Sequence, residues 1–174
     1  TKVNGDISAL SGMTGLTYLN INNTKVNGDI SALSGMTGLT YAAFGGTNIT
    51  GSLESVKNLK KLQLIHLYKT AVAGDISILA DITSMEEISL NESKVSGDIT
   101  SLKNMILLKT FNVGSLCSGY FKTLCEGMRA QGRNSGKLSI KAYGGNVKVD
   151  SSTDFPNNIV TATFSSSGVT YDGI

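Results

Sequence analysis

Seven apolar positions recur along the first two thirds of this chain, separated by steps of four, three, three, three, three, two and five residues. In the first unit they are Val3, Ile7, Leu10, Met13, Leu16, Leu19 and Ile21. In the third they are Ile49, Leu53, Val56, Leu59, Leu62, Ile65 and Leu67, and the fifth repeats them from Val95 to Val113. The period is 23 residues, and residues 1–18 return without change at 24–41. Five units cover 1–114, with Ala42 the one undersized apolar position. Such spacing fits neither a single helix nor a single strand. The two-residue step at Leu19 and Ile21 predicts a short strand with both side chains on one face. The longer steps suit a turn or 3₁₀ segment that carries the chain back. Each coil then aims its apolar residues at a shared axis and buries them only by stacking, which predicts a solenoid.

At 115 the pattern stops. Residues 118–131 place Tyr120, Phe121, Leu124, Cys125 and Met128 on one helical face, with Gly132 as a stop. Beyond it the period becomes two, through Leu138, Ile140 and Ala142, then Val147 and Val149, then Val160, Ala162 and Phe164, then Val169 and Tyr171. Gly144-Gly145-Asn146 and Ser165 to Gly168 read as hairpin turns. The expected organisation is an array over 1–114 and a C-terminal cap over 115–174, one helix followed by antiparallel strands. A cap is needed because a terminal coil otherwise leaves its apolar face in water. No cap precedes Thr1, so further repeats, or a cap and a signal peptide, are expected upstream.

These residues resemble leucine-rich repeats. Leu62, Ile65, Leu67, Thr70 and Val72 fit the LxxLxLxxNxL pattern, with Thr24, Thr47, Thr70 and Ser93 where the family usually has Asn. Gly28-Asp29-Ile30 and its equivalents are similar to the G-x-I-P step of plant-type repeats, without the Pro. The repeat length and this turn look most like cell-surface leucine-rich-repeat proteins of gut bacteria of the Bacteroides type. The resemblance implies a right-handed solenoid or horseshoe with a parallel concave sheet and a 3₁₀ or loop convex side. It also implies an extracellular or cell-surface location. It does not specify function, because one fold hosts many activities.

If Leu16, Leu19 and Ile21 point inward, Tyr18, Asn20 and Asn22 point out onto the concave sheet. The next rows are Tyr41, Ala43, Gly45; Leu64, His66, Tyr68; and Glu87, Ser89, Asn91. Ala43 and Gly45 predict a shallow notch flanked by Tyr18, Tyr41, Leu64, His66 and Tyr68. Exposed tyrosines beside a notch have the composition of a recognition hot spot; a tyrosine ladder that only stabilises the sheet is the alternative. Lys69 with Glu92, and Glu86 with Lys109, read as register-setting pairs on neighbouring strands. Glu87 has no such lateral partner and is the carboxylate expected to meet a ligand.

Two further ladders need a role. A Thr row suggests ice binding when it is flat and exposed, but the resemblance places Thr24, Thr47, Thr70 and Ser93 in a backbone-bonding turn. Asp6, Asp29, Asp75 and Asp98 also stack; calcium is one reading, and an N-cap for the following segment is the favoured one. Ser52 interrupts that row. Lys57, Lys60 and Lys61 read as a solvated rim. Cys117 and Cys125 lie eight residues apart, so a disulfide requires the chain to fold back; the sequence leaves their pairing open.

Fifteen basic and thirteen acidic residues give a net charge of +2, which supplies no field for nucleic acid. No apolar run approaches the roughly 18 residues that span a bilayer. His66 is the only imidazole, and no motif ties it to a nucleophile. The expectation is a non-enzymatic, monomeric recognition module without metal or cofactor, binding a protein or glycan through the concave sheet. The alternatives are a structural spacer or adhesin stalk with an idle face and, more remotely, ice binding.

Overall fold

The computed structural model describes residues 3–144, 146–154 and 159–173. Eight strands line one side of the solenoid: β1 (Tyr18–Asn20), β2 (Tyr41–Ala43), β3 (Leu64–His66), β4 (Glu87–Ser89), β5 (Thr110–Val113), β6 (Gly136–Ala142), β7 (Val160–Ser165) and β8 (Gly168–Asp172). They form one sheet in the order β8-β7-β6-β5-β4-β3-β2-β1. From β1 to β5 the strands are parallel, and Tyr18, Tyr41, Leu64, Glu87 and Thr110 are successive partners, one period of 23 residues per step. Each coil then crosses to a second row of short parallel strands. This row holds Asn4–Asp6, Lys25–Asp29 and Asn48–Thr50, then Ala73–Asp75, Lys94–Asp98, Cys117–Tyr120 and Asn146–Lys148. The segment expected to be a turn is therefore itself a strand. A 3₁₀ turn follows it in each of the first five coils, as at Ile30–Leu33 and Leu53–Val56, and closes the circuit.

Stacking alone buries the core. Met13 is 51% exposed, whereas Met36, at the same place in the repeated eighteen-residue string of the second coil, is 0% exposed. The same contrast separates half-buried Leu10 and Leu16 from fully buried Leu33 and Leu39. From Ile30 onward the apolar positions fall into one continuous core that runs into the C-terminal segment.

The aspartates cap the 3₁₀ turns. Asp6, Asp29, Asp75 and Asp98 each accept a 2.8 Å hydrogen bond from the amide two residues on, and Ser52 does the same at 3.2 Å. They have a second contact across the coils. A Cβ built on Gly28 would lie 2.5 Å from the Asp6 carboxylate, and one on Gly51 would lie 2.5 Å from Asp29. Gly97 stands in the same relation to Asp75, and Gly119 to Asp98. These glycines also have φ between +103° and +112°. Glycine is thus required twice over, by the left-handed backbone and by the carboxylate resting on its α-carbon.

Gly119 shows where the sequence pattern misleads. No GDI triplet marks residues 115–120, yet Cys117–Tyr120 pairs in parallel with Lys94–Asp98 and extends the second row. Helix α1 (Phe121–Ala130) then replaces the 3₁₀ turn, burying Phe121, Leu124, Cys125 and Met128. Tyr120, expected on the buried face, stands at the N-cap position and is exposed. The strands after the helix are not all antiparallel: β6 is parallel to β5 and antiparallel to β7. Gly145 of the expected Gly144–Asn146 hairpin lies outside the described residues. Asn146–Lys148 pairs in parallel with Cys117–Tyr120 rather than folding back on β6, because the chain crosses to the second row as in earlier coils. The expected hairpin at Ser165–Gly168 joins β7 to β8.

Cys117 and Cys125 are free, buried thiols, and burial pushes them up to about 11 and about 12 respectively. Arg133 ties the cap to the array. Its guanidinium donates to the carbonyls of Leu108 and Lys137 and lies 4.3 Å over the Phe164 ring.

The capping ladder makes glycine substitution and acid its two points of weakness. Gly51→Ala is expected to lower stability in urea by about 2–4 kcal/mol, combining left-handed strain with the carboxylate contact. Asp29→Ala/Gly51→Ala should cost less than the two single changes added together, since the first removes what the second collides with. Acid acts on the carboxylates themselves. The amides of Ser8 and Ser31, followed by their hydroxyls, hold Asp6 and Asp29 below 3.8; at Asp75 the Ser77 hydroxyl contributes more than its amide. Depressed carboxyl values stabilise the fold above the unfolded value and lose that contribution as pH falls through the folded one. The thermal midpoint should therefore drop as pH is taken below about 4, and Asp29→Asn/Asp75→Asn should flatten the drop.

Candidate functional site

Alternation along each three-residue strand decides which side chains reach the concave surface. Leu19, Ala42, Ile65 and Ile88 sit at strand centres and face the core, so their neighbours face out. Lateral pairing then sets Tyr18 beside Tyr41, Tyr41 beside Leu64, Leu64 beside Glu87, and His66 between Ala43 and Ser89. All six residues expected at a binding site thus share one patch across β1 to β4 and the turn after β3.

Within the patch their roles differ. The Tyr18 and Tyr41 rings stack, with centroids 4.2 Å apart and planes 19° from parallel. Tyr18 is 57% exposed and forms the outer leaf of the pair. Burial, then hydrogen bonding with Tyr18, then the charges of Tyr18, Glu87 and Tyr68 raise the Tyr41 phenol above its ordinary 10.0. The stack offers a flat aromatic surface already fixed in place, which lowers the entropy lost on contact.

The notch is filled. Tyr68 lays its ring directly on Gly45, leaving no room there even for a methyl group. The Asn23 amide donates to the Tyr68 hydroxyl at 3.4 Å, and Ala43 and Gly45 are buried. A tyrosine placed laterally beside glycine leans into the space that the missing side chain leaves. Tyr68 is therefore a packing residue as much as a surface one.

Glu87 has a partner after all, on the diagonal. His66 Nε2 lies 2.7 Å from Glu87 Oε1, across 21 residues rather than 23. A carboxylate only accepts, so Nε2 is the donor in this bond. The His66 side chain is 16% exposed and that of Glu87 is 38% exposed. His66 Nδ1 is buried with no hydrogen-bond partner. Glu87 is thus the accessible end of an oriented His–Glu pair. Next to it, Asn112 Nδ2 donates to Ser89 Oγ, which donates in turn to Asn91 Oδ1, giving a polar border.

The remaining ladders are structural. Thr24, Thr47, Thr70 and Ser93 donate their hydroxyls to the carbonyls of Ile21, Phe44, Leu67 and Leu90 at 2.5–2.8 Å. Thr47, Thr70 and Ser93 are 6–7% exposed, so they present no open hydroxyl row to ice. The Lys69–Glu92 and Glu86–Lys109 pairs join adjacent coils at the surface, as their register implies. Lys57 pairs with Glu54, and Lys60 lies 4.0 Å from Asp81.

No protein-family profile matches the sequence, and no curated protein sequence matches it. Solved structures do resemble this one. The plant peptide hormone receptor RGFR1, in complex with RGF2, superposes with a TM-score of 0.67 at 21% identity, over 84% of this chain and 23% of that one. The leucine-rich-repeat ectodomain of the receptor kinase SOBIR1 from Arabidopsis thaliana gives 0.61 at 16% identity, over 67% and 66%. An internalin, inlF from Listeria monocytogenes, gives 0.54 at 21% identity, over 85% and 47%. The chain therefore spans about a quarter of the hormone receptor and about half of the internalin. Repeat pattern, parallel sheet and these superpositions agree that this chain is a solenoid of the leucine-rich-repeat fold.

Proposed function

We propose that this chain is a non-enzymatic recognition module that binds a peptide or protein segment through the concave patch around Tyr18, Tyr41 and Glu87. The observation that carries this reading is the exposed Tyr18–Tyr41 stack beside an oriented, accessible carboxylate. Large aromatic surface and one placed charge are what interface hot spots are made of. Peptide ligands in similar structures, among them RGF2 on its receptor and the hormone IDA on the receptor kinase HAESA, favour a peptide over a glycan as the first ligand to test. On this reading residues 115–174 serve as the closing cap. The location is extracellular, at a bacterial cell surface, and the chain acts as a monomer.

The experiment is selection from a random-peptide display library on the immobilised chain. Selected peptides should bind the parent at least about tenfold tighter than Tyr18→Ala/Glu87→Gln. Enrichment that is equal on the parent and on that variant, or no enrichment, would leave the face idle and favour the spacer or stalk. The variant must stay folded for this comparison to hold. Tyr18→Ala is expected to change stability by no more than about 0.5 kcal/mol, because the ring is an exposed outer leaf. Tyr68→Ala should cost about 2 kcal/mol by opening the space over Gly45. Urea denaturation of the two variants distinguishes the surface tyrosine from the packing one.

A further inference from the structure

At the junction of array and cap, away from the concave patch, lies a depression of about 490 Å³. It forms between the turn entering β5 (Ile106, Leu107, Lys109), the loop joining α1 to β6 (Arg133, Ser135) and the start of β6 (Lys137). That volume lies within the usual range of small-molecule sites. Three cations line it and no carboxylate does. Glu86, the nearest acid to Lys109, is engaged by that lysine.

Arg133 makes this more than a gap between loops. The residue is 5% exposed, and among the described residues no carboxylate pairs with it. Its two terminal nitrogens donate to backbone carbonyls, while Nε is buried without a partner. Removing a guanidinium from water is strongly unfavourable unless opposite charge is returned to it. Two carbonyl dipoles and the Phe164 ring return part of that and supply no net counter-charge. Burial accordingly pulls the Arg133 pKa below its ordinary 12.5. Beside the cation stand aliphatic walls, half-buried Ile106 and exposed Leu107, which suit an apolar group and not a bare phosphate.

We propose that this depression binds a carboxylate carrying an apolar group of leucyl or phenyl size, with Arg133 as the buried cation, Lys137 and Lys109 at the rim, and Leu107 against the apolar group. Two sources share that chemistry: a free carboxylic acid, and the C-terminal residue of a peptide. The site is independent of the concave patch and stands or falls separately from it.

The test is a titration of the ¹⁵N-labelled full chain, followed by amide shifts, with N-acetyl-leucine and with its carboxamide. The acid should move the amides of Lys109 and of residues 134–137 and bind at least about tenfold tighter than the carboxamide, which keeps the shape and lacks the charge. A peptide ending in Leu with a free C-terminus, compared with its amidated form, then separates the sources. Binding of the free-ended peptide identifies a peptide terminus, and binding of the small acid alone identifies free acids. Arg133→Lys should weaken the acid most, by removing the fork. Because that change sits in the core, Leu107→Ser/Lys137→Gln provides a surface variant; it should weaken binding about tenfold with an unchanged thermal midpoint. Equal shifts from acid and amide, shifts elsewhere, no shifts at millimolar acid, or undiminished binding by the surface variant would each overturn the proposal.

Discussion

The same eighteen-residue string leaves its methionine half in water in one coil and buries it completely in the next. Nothing local distinguishes Met13 from Met36, so the burial comes from the neighbour. A single coil is too thin to enclose its own side chains. Every other feature of the molecule follows from that dependence on lateral contact. Strands β1 to β4 are three residues long because they need only hand the chain past the core. Hydroxyls turn inward to bond their own coil, since the turn that holds them is itself packed between two others.

Periodicity makes one class of contact legible in the amino-acid sequence and hides another. Residues one period apart lie side by side, so the core rows, the Lys69–Glu92 pair and the line from Tyr18 to Glu87 can be found by counting. Counting fails where a side chain leaves its row. It leaves Glu87 unpaired because the partner lies diagonally, two positions short of a full period. It predicts an open notch for a different reason. Gly45 and Tyr68 are lateral neighbours, but the pattern records positions and not volumes, and a ring moves into space that no side chain claims.

The C-terminal segment is the least legible for a related reason. Its helix keeps the apolar face and drops the repeat, so the residue pattern shows a boundary at 115. The backbone shows less of one. Cys117–Tyr120 and β6 continue both rows of strands, with a helix substituted for a 3₁₀ turn on the circuit between them. Only Gly119 carries the older signature, and without the flanking Asp and Ile it cannot be told from any other glycine. The helix leads into β6 through a five-residue loop, 131–135, and Arg133 lies on it.

The contact between each aspartate and the glycine above it has a consequence beyond holding two coils in place. Where one Gly-Asp coil follows another, the two halves meet: the aspartate of the first engages the glycine of the second, as Asp6 does with Gly28 and Asp75 with Gly97. One such coil can therefore follow another without a matched change elsewhere in this contact, as the first two coils show through Asp6 and Gly28. Ser52 marks the exception; it still caps its own turn, but Gly74 above it meets Leu53 instead of a carboxylate. A Gly-Asp coil placed beside another would thus meet a ready-made joint, while the joint at Ser52 keeps its own pairing of neighbours.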